Sequence, residues 1–250
     1  MKTLFREKNL GCKEAVSSAI TWFFDNEEEG IILEDDCLHG DSFFKFCDQL
    51  LEKYRFDNRI AHISGCNLQH GKKWGNASYY FSNMTHVWGW ASWRRVWKGY
   101  SKDLSKFGEK GLRGKLENVF NDELIIHTWV QLFIDVKAGK IDTWDYQLGL
   151  MNLFNNSLSI IPTYNLISNI GFGQNSTHTS DAGSPYAGIP LEDINEIVHP
   201  AFILPEKQAD LATLHHDFDT EKRRPKHNLL RRRFKRWMRK MILPEKYKAA

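Results

Sequence analysis

Three acids in a row, Glu34-Asp35-Asp36, end the apolar run Gly30-Ile31-Ile32-Leu33, which is too short for a helix and has the make-up of a buried strand. Carboxylates this close raise one another's pKa unless a positive charge lies between them. The triplet therefore reads as a cation site where a strand surfaces, with a solvated strand end as the competing account. Asp145, in Trp144-Asp145-Tyr146-Gln147, is a carboxylate that could take a proton from a reacting hydroxyl, or a first-turn helix acid favoured by the dipole. Trp88 and Trp90 flank Gly89 ahead of a helix, and each either lines a pocket or packs in the core. His178, in Thr177-His178-Thr179, is a late loop histidine.

The elements that must position these residues follow from periodicity. Val16, Ala19, Ile20, Phe23 and Phe24 predict a helix over 13–24, and Ile31 to Leu33 a strand after it. Asp41 or Ser42 can cap a helix whose Phe43, Phe46, Cys47, Leu50, Leu51 and Tyr54 form one face, and Ile60 to Ser64 reads as the next strand. Tyr79 to Phe81 is an aromatic strand, and Ser92 is placed to cap a helix carrying Trp93, Val96, Trp97 and Tyr100. Residues 101–122, polar with three glycines, read as a mobile connection; Glu123 to Val136 is helical, and Asp142 or Thr143 can cap the helix after it. Ser159 to Pro162 reads as a strand, and the chain beyond Gly183, with Pro185, Pro190, Pro200 and Pro205, as loop. Helices alternating with short apolar strands predict an α/β sandwich with a largely parallel sheet, whose ligands collect at the carboxyl ends of the strands.

Arg6-Glu7-Lys8-Asn9-Leu10-Gly11, Leu33-Glu34-Asp35-Asp36 with Phe43-Phe44 after it, Trp88-Gly89-Trp90, Thr143-Trp144-Asp145, and Gly171-Phe172-Gly173 through His178 occur in that order. The ordered set resembles the nucleotide-diphospho-sugar transferases of the GT-A fold, particularly bacterial glycosyltransferase-like proteins related to the N-acetylglucosaminyltransferase that starts complex N-glycans. The resemblance implies a metal-dependent, inverting transfer of a sugar from a nucleotide-diphospho-sugar, a UDP-sugar, to a glycan or lipid-linked glycan acceptor, in bacterial surface polysaccharide or glycolipid synthesis. It makes Asp36 the direct ligand of Mn²⁺ or Mg²⁺, with His178 a late metal or diphosphate contact. Glu34 and Asp35 would touch ribose, sugar hydroxyls or metal-bound water. Asp145 becomes the general base; Trp88, Gly89 and Trp90 the loop on donor sugar and acceptor; Arg6, Asn9 and Gly11 the nucleotide side. Relatives carry a further strand, helix and strand ahead of the segment equivalent to Lys2 to Phe5, which is itself a strand in them. The expectation is thus a Rossmann-like GT-A domain over 1–205, incomplete at its N-terminus, and a basic tail over 206–250. A non-catalytic remnant or partner subunit is the alternative. A metal-dependent phosphohydrolase would need more His or Asp ligands to hold two ions.

At 250 residues with 42% hydrophobic content the chain can bury one sizeable core. Cys12, Cys37, Cys47 and Cys66 show no paired spacing, which predicts reduced thiols in a cytoplasmic protein. The net charge of +3 hides a division: Lys222 to Lys240 carries eleven Lys or Arg and no acid, leaving 23 basic against 31 acidic residues elsewhere. In that stretch Leu230, Phe234, Trp237, Met238 and Met241 recur at helical spacing. A basic amphipathic helix over 222–242 predicts peripheral attachment to an anionic membrane on the inner face of the plasma membrane; the acidic body disfavours nucleic acid as partner.

Overall fold

Apolar residues at helical spacing and short β-branched runs form helices laid on a sheet in the computed structural model, which describes residues 1–108, 110–172 and 184–242. Helix α1 (Cys12–Asn26) leads to strand β1 (Glu29–Ile32), then past the acidic turn to β2 (Cys37–His39), α2 (Phe43–Tyr54) and β3 (Ile60–Ser64). Strands β4 (Tyr79–Ser82) and β5 (Trp90–Trp93) follow, then the single turn α3 (Arg94–Trp97), α4 (Leu112–Glu117), α5 (Glu123–Lys137) and α6 (Asp145–Phe154). Strands β6 (Leu158–Pro162) and β7 (Ile167–Asn169) precede α7 (Lys207–Asp217), α8 (Thr220–Asn228) and α9 (Leu230–Ile242). α2 shows why such segments fold as they do. The six residues of its apolar face, Phe43, Phe46, Cys47, Leu50, Leu51 and Tyr54, are all buried and pack in one core with Ile60, Ile63, Tyr79, Phe81 and Ile160 from the sheet. Each Leu or Phe is worth roughly 1.5–3 kcal/mol against exposure, while Phe44 faces outward.

The class is α/β, but the sheet corrects the expectation of largely parallel strands. Its order is β1-β5-β3-β6-β4, and only β3 and β6 pair parallel. β5 runs antiparallel between β1 and β3, and β4 antiparallel to β6. The alternation of helix and strand does send β1, β3 and β6 in one direction; β5 fills the gap between two of them, arriving from an irregular segment rather than a crossover helix. The carboxyl ends of β1, β3 and β6 therefore share one end of the sheet. Over that end lies a separate antiparallel ribbon of β2 and β7.

Three local expectations are also corrected. Lys2 to Phe5 forms no strand: Phe5 is 89% exposed, and with no paired neighbour the segment has no ladder to join. Ser92 caps no helix but lies within β5, where its hydroxyl donates to the Ala61 carbonyl at 2.7 Å; Trp93 takes the cap position of α3. Residues 101–122 are packed rather than loose, with Leu104, Leu112, Leu116 and Phe120 buried against Ile125, Trp129 and Phe133 of α5.

The packing runs on through α7. The buried Asp210 accepts from Ser82 Oγ at 2.5 Å and from Asn83 N and Nδ2 at 3.0 and 2.9 Å, fastening α7 to the end of β4. Burial pushes the Asp210 carboxyl up despite those donors. Among the described residues no helix is long and apolar enough to cross a membrane, and all four cysteines are free thiols.

Candidate functional site

The acidic turn lies between β1 and β2, closed by the Cys37 amide donating to the Glu34 carbonyl at 3.1 Å. Pairing of β2 with β7 sets Cys37 opposite Asn169 and brings the chain after β7 over Asp36. Asn169 Nδ2 donates to Asp36 Oδ2 at 3.1 Å, the Ile170 amide donates to the Asp36 carbonyl at 2.9 Å, and the Gly171 amide donates to Asn169 Oδ1 at 2.8 Å. A Cβ at Gly171 would fall 2.3 Å from Asp36 Oδ2. The glycine therefore allows the chain to pass directly over the carboxylate.

Glu34 is half-buried on this turn, and Asp35 is exposed beside it. Burial first, then Asp36, then Asp145 push the Glu34 carboxyl up to about 7, against a hydrogen bond from the Trp144 side chain. Asp145, at the first turn of α6, is thus a close electrostatic neighbour of acids more than 100 positions earlier in the chain. Its Oδ1 accepts from the Thr143 hydroxyl. The Cys12 thiol is raised by burial and then by Glu34, Asp142 and Asp145, so the start of α1 faces the same cluster. Cys37 is raised to about 12, chiefly by burial, and is a neutral thiol here. Tyr100, raised first by burial and next by Asp145, closes the group from α3's side, its hydroxyl donating to the Trp144 carbonyl at 3.0 Å.

Asp142, expected as a cap of α6, caps a different helix. Its Oδ2 accepts from the Cys12 amide at 3.2 Å and its Oδ1 from the Lys13 amide at 3.3 Å, placing a carboxylate on the N-terminus of α1. Trp144 takes the cap position of α6 instead. Gly11 meets this carboxylate with φ 76°, and Asn9 Oδ1 accepts from the Gly11 amide at 2.8 Å. Arg6 is exposed and donates to Ser18 Oγ at 2.8 Å.

Asp145 also lines a cavity of about 800 Å³, together with Trp88, Tyr146, Tyr186, His216 and Asp217. That volume falls within the range of small-molecule binding sites. Trp88 stands edge-on to Phe172 at 5.6 Å and to Tyr186 at 6.2 Å. Trp90 is elsewhere: fully buried, it lies between His62 at 5.1 Å and Trp144 at 5.9 Å. Gly89 between them is buried with φ 59°, and a Cβ there would stand 2.6 Å from Ile167. The structure thus gathers Glu34, Asp36 and Asp145, sets Trp88 on the adjoining cavity and puts Trp90 beneath it in the core. His178 lies outside the described residues.

The far wall of the cavity was not foreseen from sequence. Tyr186 OH lies 2.7 Å from His216 Nδ1 and donates to Asp217 Oδ1 at 2.6 Å, and the His70 ring stacks on Tyr186 at 5.3 Å. The adjacent His215-His216-Asp217 at the end of α7 was a possible signal, overshadowed by the expectation that the domain ends at 205.

Oxygen-only donors suit a hard divalent cation, and the excess negative charge around Glu34 is what such an ion would relieve. Among the described residues no three His, Cys, Asp or Glu side chains converge to enclose an ion. Neither a family model nor a curated protein matches the chain.

Proposed function

We propose that this chain is a metal-dependent glycosyltransferase of the GT-A type that moves a sugar from a nucleotide-diphospho-sugar to an acceptor hydroxyl with inversion. The observation that carries the reading is the double position of Asp145, on the wall of the 800 Å³ cavity and in the field of Glu34. In this reading the cavity takes the acceptor, with Trp88 offering an aromatic face to a pyranose ring, and the acidic turn takes the donor diphosphate. Asp36 is the carboxylate that would hold a divalent ion directly, with Glu34 and Asp35 reaching ribose, sugar hydroxyls or metal-bound water. A bound Mn²⁺ or Mg²⁺ would supply neutralisation of the diphosphate's charge. Arg6, Asn9 and Gly11 stand on the nucleotide side, and His178 is the proposed late contact.

The step itself needs a base. The acceptor oxygen bonds the anomeric carbon as the bond from that carbon to the diphosphate oxygen breaks, and the acceptor's proton passes to Asp145. Thr143 occupies Oδ1, which leaves Oδ2 for the acceptor hydroxyl. Attack from the side opposite the leaving group inverts the anomeric centre.

The basic C-terminus suits an acceptor at a membrane. α9 exposes Phe234 and Trp237 among its arginines and lysines, a composition that anionic bilayer surfaces attract. The whole reading is tested by incubating the chain with a panel of nucleotide sugars and Mn²⁺ and following donor hydrolysis or transfer. Release of a nucleoside diphosphate from one donor, lost in Asp36→Asn, is expected. Binding of no nucleotide sugar by calorimetry, with or without Mn²⁺, would remove it.

A further inference from the structure

A second cavity, of about 370 Å³, lies where the first turn of α5 meets the corner between α8 and α9, with Arg224, Arg233, Arg236, His227 and Trp237 on its wall and Glu123 its one acid. The nearby carboxylates are already engaged. Asp122 Oδ2 accepts from Arg224 at 2.7 Å, and Glu123 pairs with Arg113. Arg236 donates to the His227 carbonyl, a neutral acceptor, and among the described residues neither Arg233 nor Arg236 has a carboxylate partner. His227 Nε2 is buried without a hydrogen-bond partner, and the His127 ring of α5 stands 6.2 Å from the His227 ring. Both imidazoles are held below the usual histidine range, first by burial; next come His227 and then Arg236 for His127, and Arg236 for His227. Three arginines from α8 and α9 therefore face one concavity closed by the first turn of α5, with an unmet imidazole nitrogen at its wall, the electrostatic inverse of the acidic turn.

We propose that this cavity binds a phosphate group, gripped by the guanidinium forks of Arg233 and Arg236 with His227 Nε2 as a further donor. Guanidinium geometry matches two phosphate oxygens at once, and an anion there converts repulsion among the cations into attraction. The site stands independently of the proposed sugar transfer. Two sources offer this chemistry: the headgroup of an anionic lipid, to which the exposed Phe234 and Trp237 of α9 would bring the cavity, and free inorganic phosphate.

The test uses the full chain and two double variants of equal charge, Arg233→Gln with Arg236→Gln, and Arg232→Gln with Lys235→Gln, the latter pair exposed on the same helix. Inorganic phosphate is titrated while the histidine ring protons are followed by NMR. Saturable binding that raises the His227 and His127 pKa values, weakened about tenfold or more by the first variant and unchanged by the second, is expected. Sedimentation with phosphatidylglycerol and phosphatidylcholine vesicles separates the sources. Preference for phosphatidylglycerol lost only in the first variant identifies a headgroup, whereas phosphate binding without that preference identifies the free ion. No histidine shift with phosphate, together with equal weakening of vesicle binding by both variants, would overturn the site and leave only diffuse charge attraction.

Discussion

Asp142 holds the N-terminus of α1 from 130 positions away, its carboxylate oxygens 3.2 Å from the Cys12 amide and 3.3 Å from the Lys13 amide. Helix starts usually find a cap within a residue or two. Gly11 has no side chain to offer, and the first turn of α1 instead takes its acceptor from the segment leading into α6. This contact ties the motif ending in Gly11 to the one containing Asp145, and it keeps the start of α1 against the acidic cluster. Asp142→Ala should cost about 1 kcal/mol, read as a lower urea midpoint with unchanged slope. Gly11→Ala should cost at least as much, because its Cβ would stand 2.9 Å from Asp142 Oδ2 at φ 76°. Full stability in both variants would mean that the cap contributes nothing.

Glu34 gives the fold a pH dependence of defined sign. Its carboxyl is raised to about 7, by burial and then by Asp36 and Asp145, against about 4.3 in an unfolded chain. Between those values the native state holds a proton that the unfolded state has released. The stability it contributes is complete below about 4.3 and lost as pH rises towards 7. Glu34→Gln, which cannot titrate, should lose less stability than the parent between pH 5 and pH 8 in urea denaturation at fixed ionic strength. Mn²⁺ favours the ionised form, so it should raise the melting temperature more at pH 7.5 than at pH 5. Parallel pH profiles for parent and variant would show that Glu34 titrates normally.

The segment 101–122 illustrates where sequence and structure part. Leu104, Leu112, Leu116 and Phe120 are buried; the last three stand at i, i+4 and i+8, a helical spacing that Gly108, Gly111, Gly114 and the surrounding charges obscure and that yields only the short α4 (Leu112–Glu117). Such residues are recruited by a core built elsewhere, here by α5. Leu116→Ala should therefore cost about 2–5 kcal/mol, the range for core leucines, measured by thermal unfolding. A loss under about 0.5 kcal/mol, typical of surface sites, would return the segment to the loose connection its composition suggests.

The same contrast runs through the site. Elements with a strong period were legible: α2's apolar face, β3 and the strand-turn-acid order at Glu34 follow from local sequence. Strand pairing was not, because β1, β3 and β6 read identically whether adjacent or separated by β5, and nothing local records which neighbour a buried strand takes. Trp88 and Trp90 were indistinguishable as residue types, and only the strand start at Trp90 sends one to the cavity and the other to the core. Of the partners of Tyr186, only the adjacent His215-His216-Asp217 offered a local signal; that His216 and His70 meet on Tyr186 could not be read, since they come from helix and loop segments with no shared pattern.

Asp145 and Trp88 share one cavity and should fail differently. Asp145→Asn keeps size and leaves an acceptor for the Thr143 hydroxyl, but an amide cannot take the acceptor's proton. In the proposed reaction kcat should fall by about 10²–10⁴-fold with donor binding unchanged. Trp88→Ala removes a ring from the cavity wall without touching the base, so KM for the acceptor should rise while kcat changes little. Trp90→Ala, by contrast, opens a hole beneath β5 and should cost about 3–5 kcal/mol of stability. The three variants are compared by steady-state kinetics with the donor identified from the nucleotide-sugar panel, alongside thermal unfolding. Equal loss of kcat in Trp88→Ala and Asp145→Asn, or a stable Trp90→Ala, would contradict this division between base, ring platform and core.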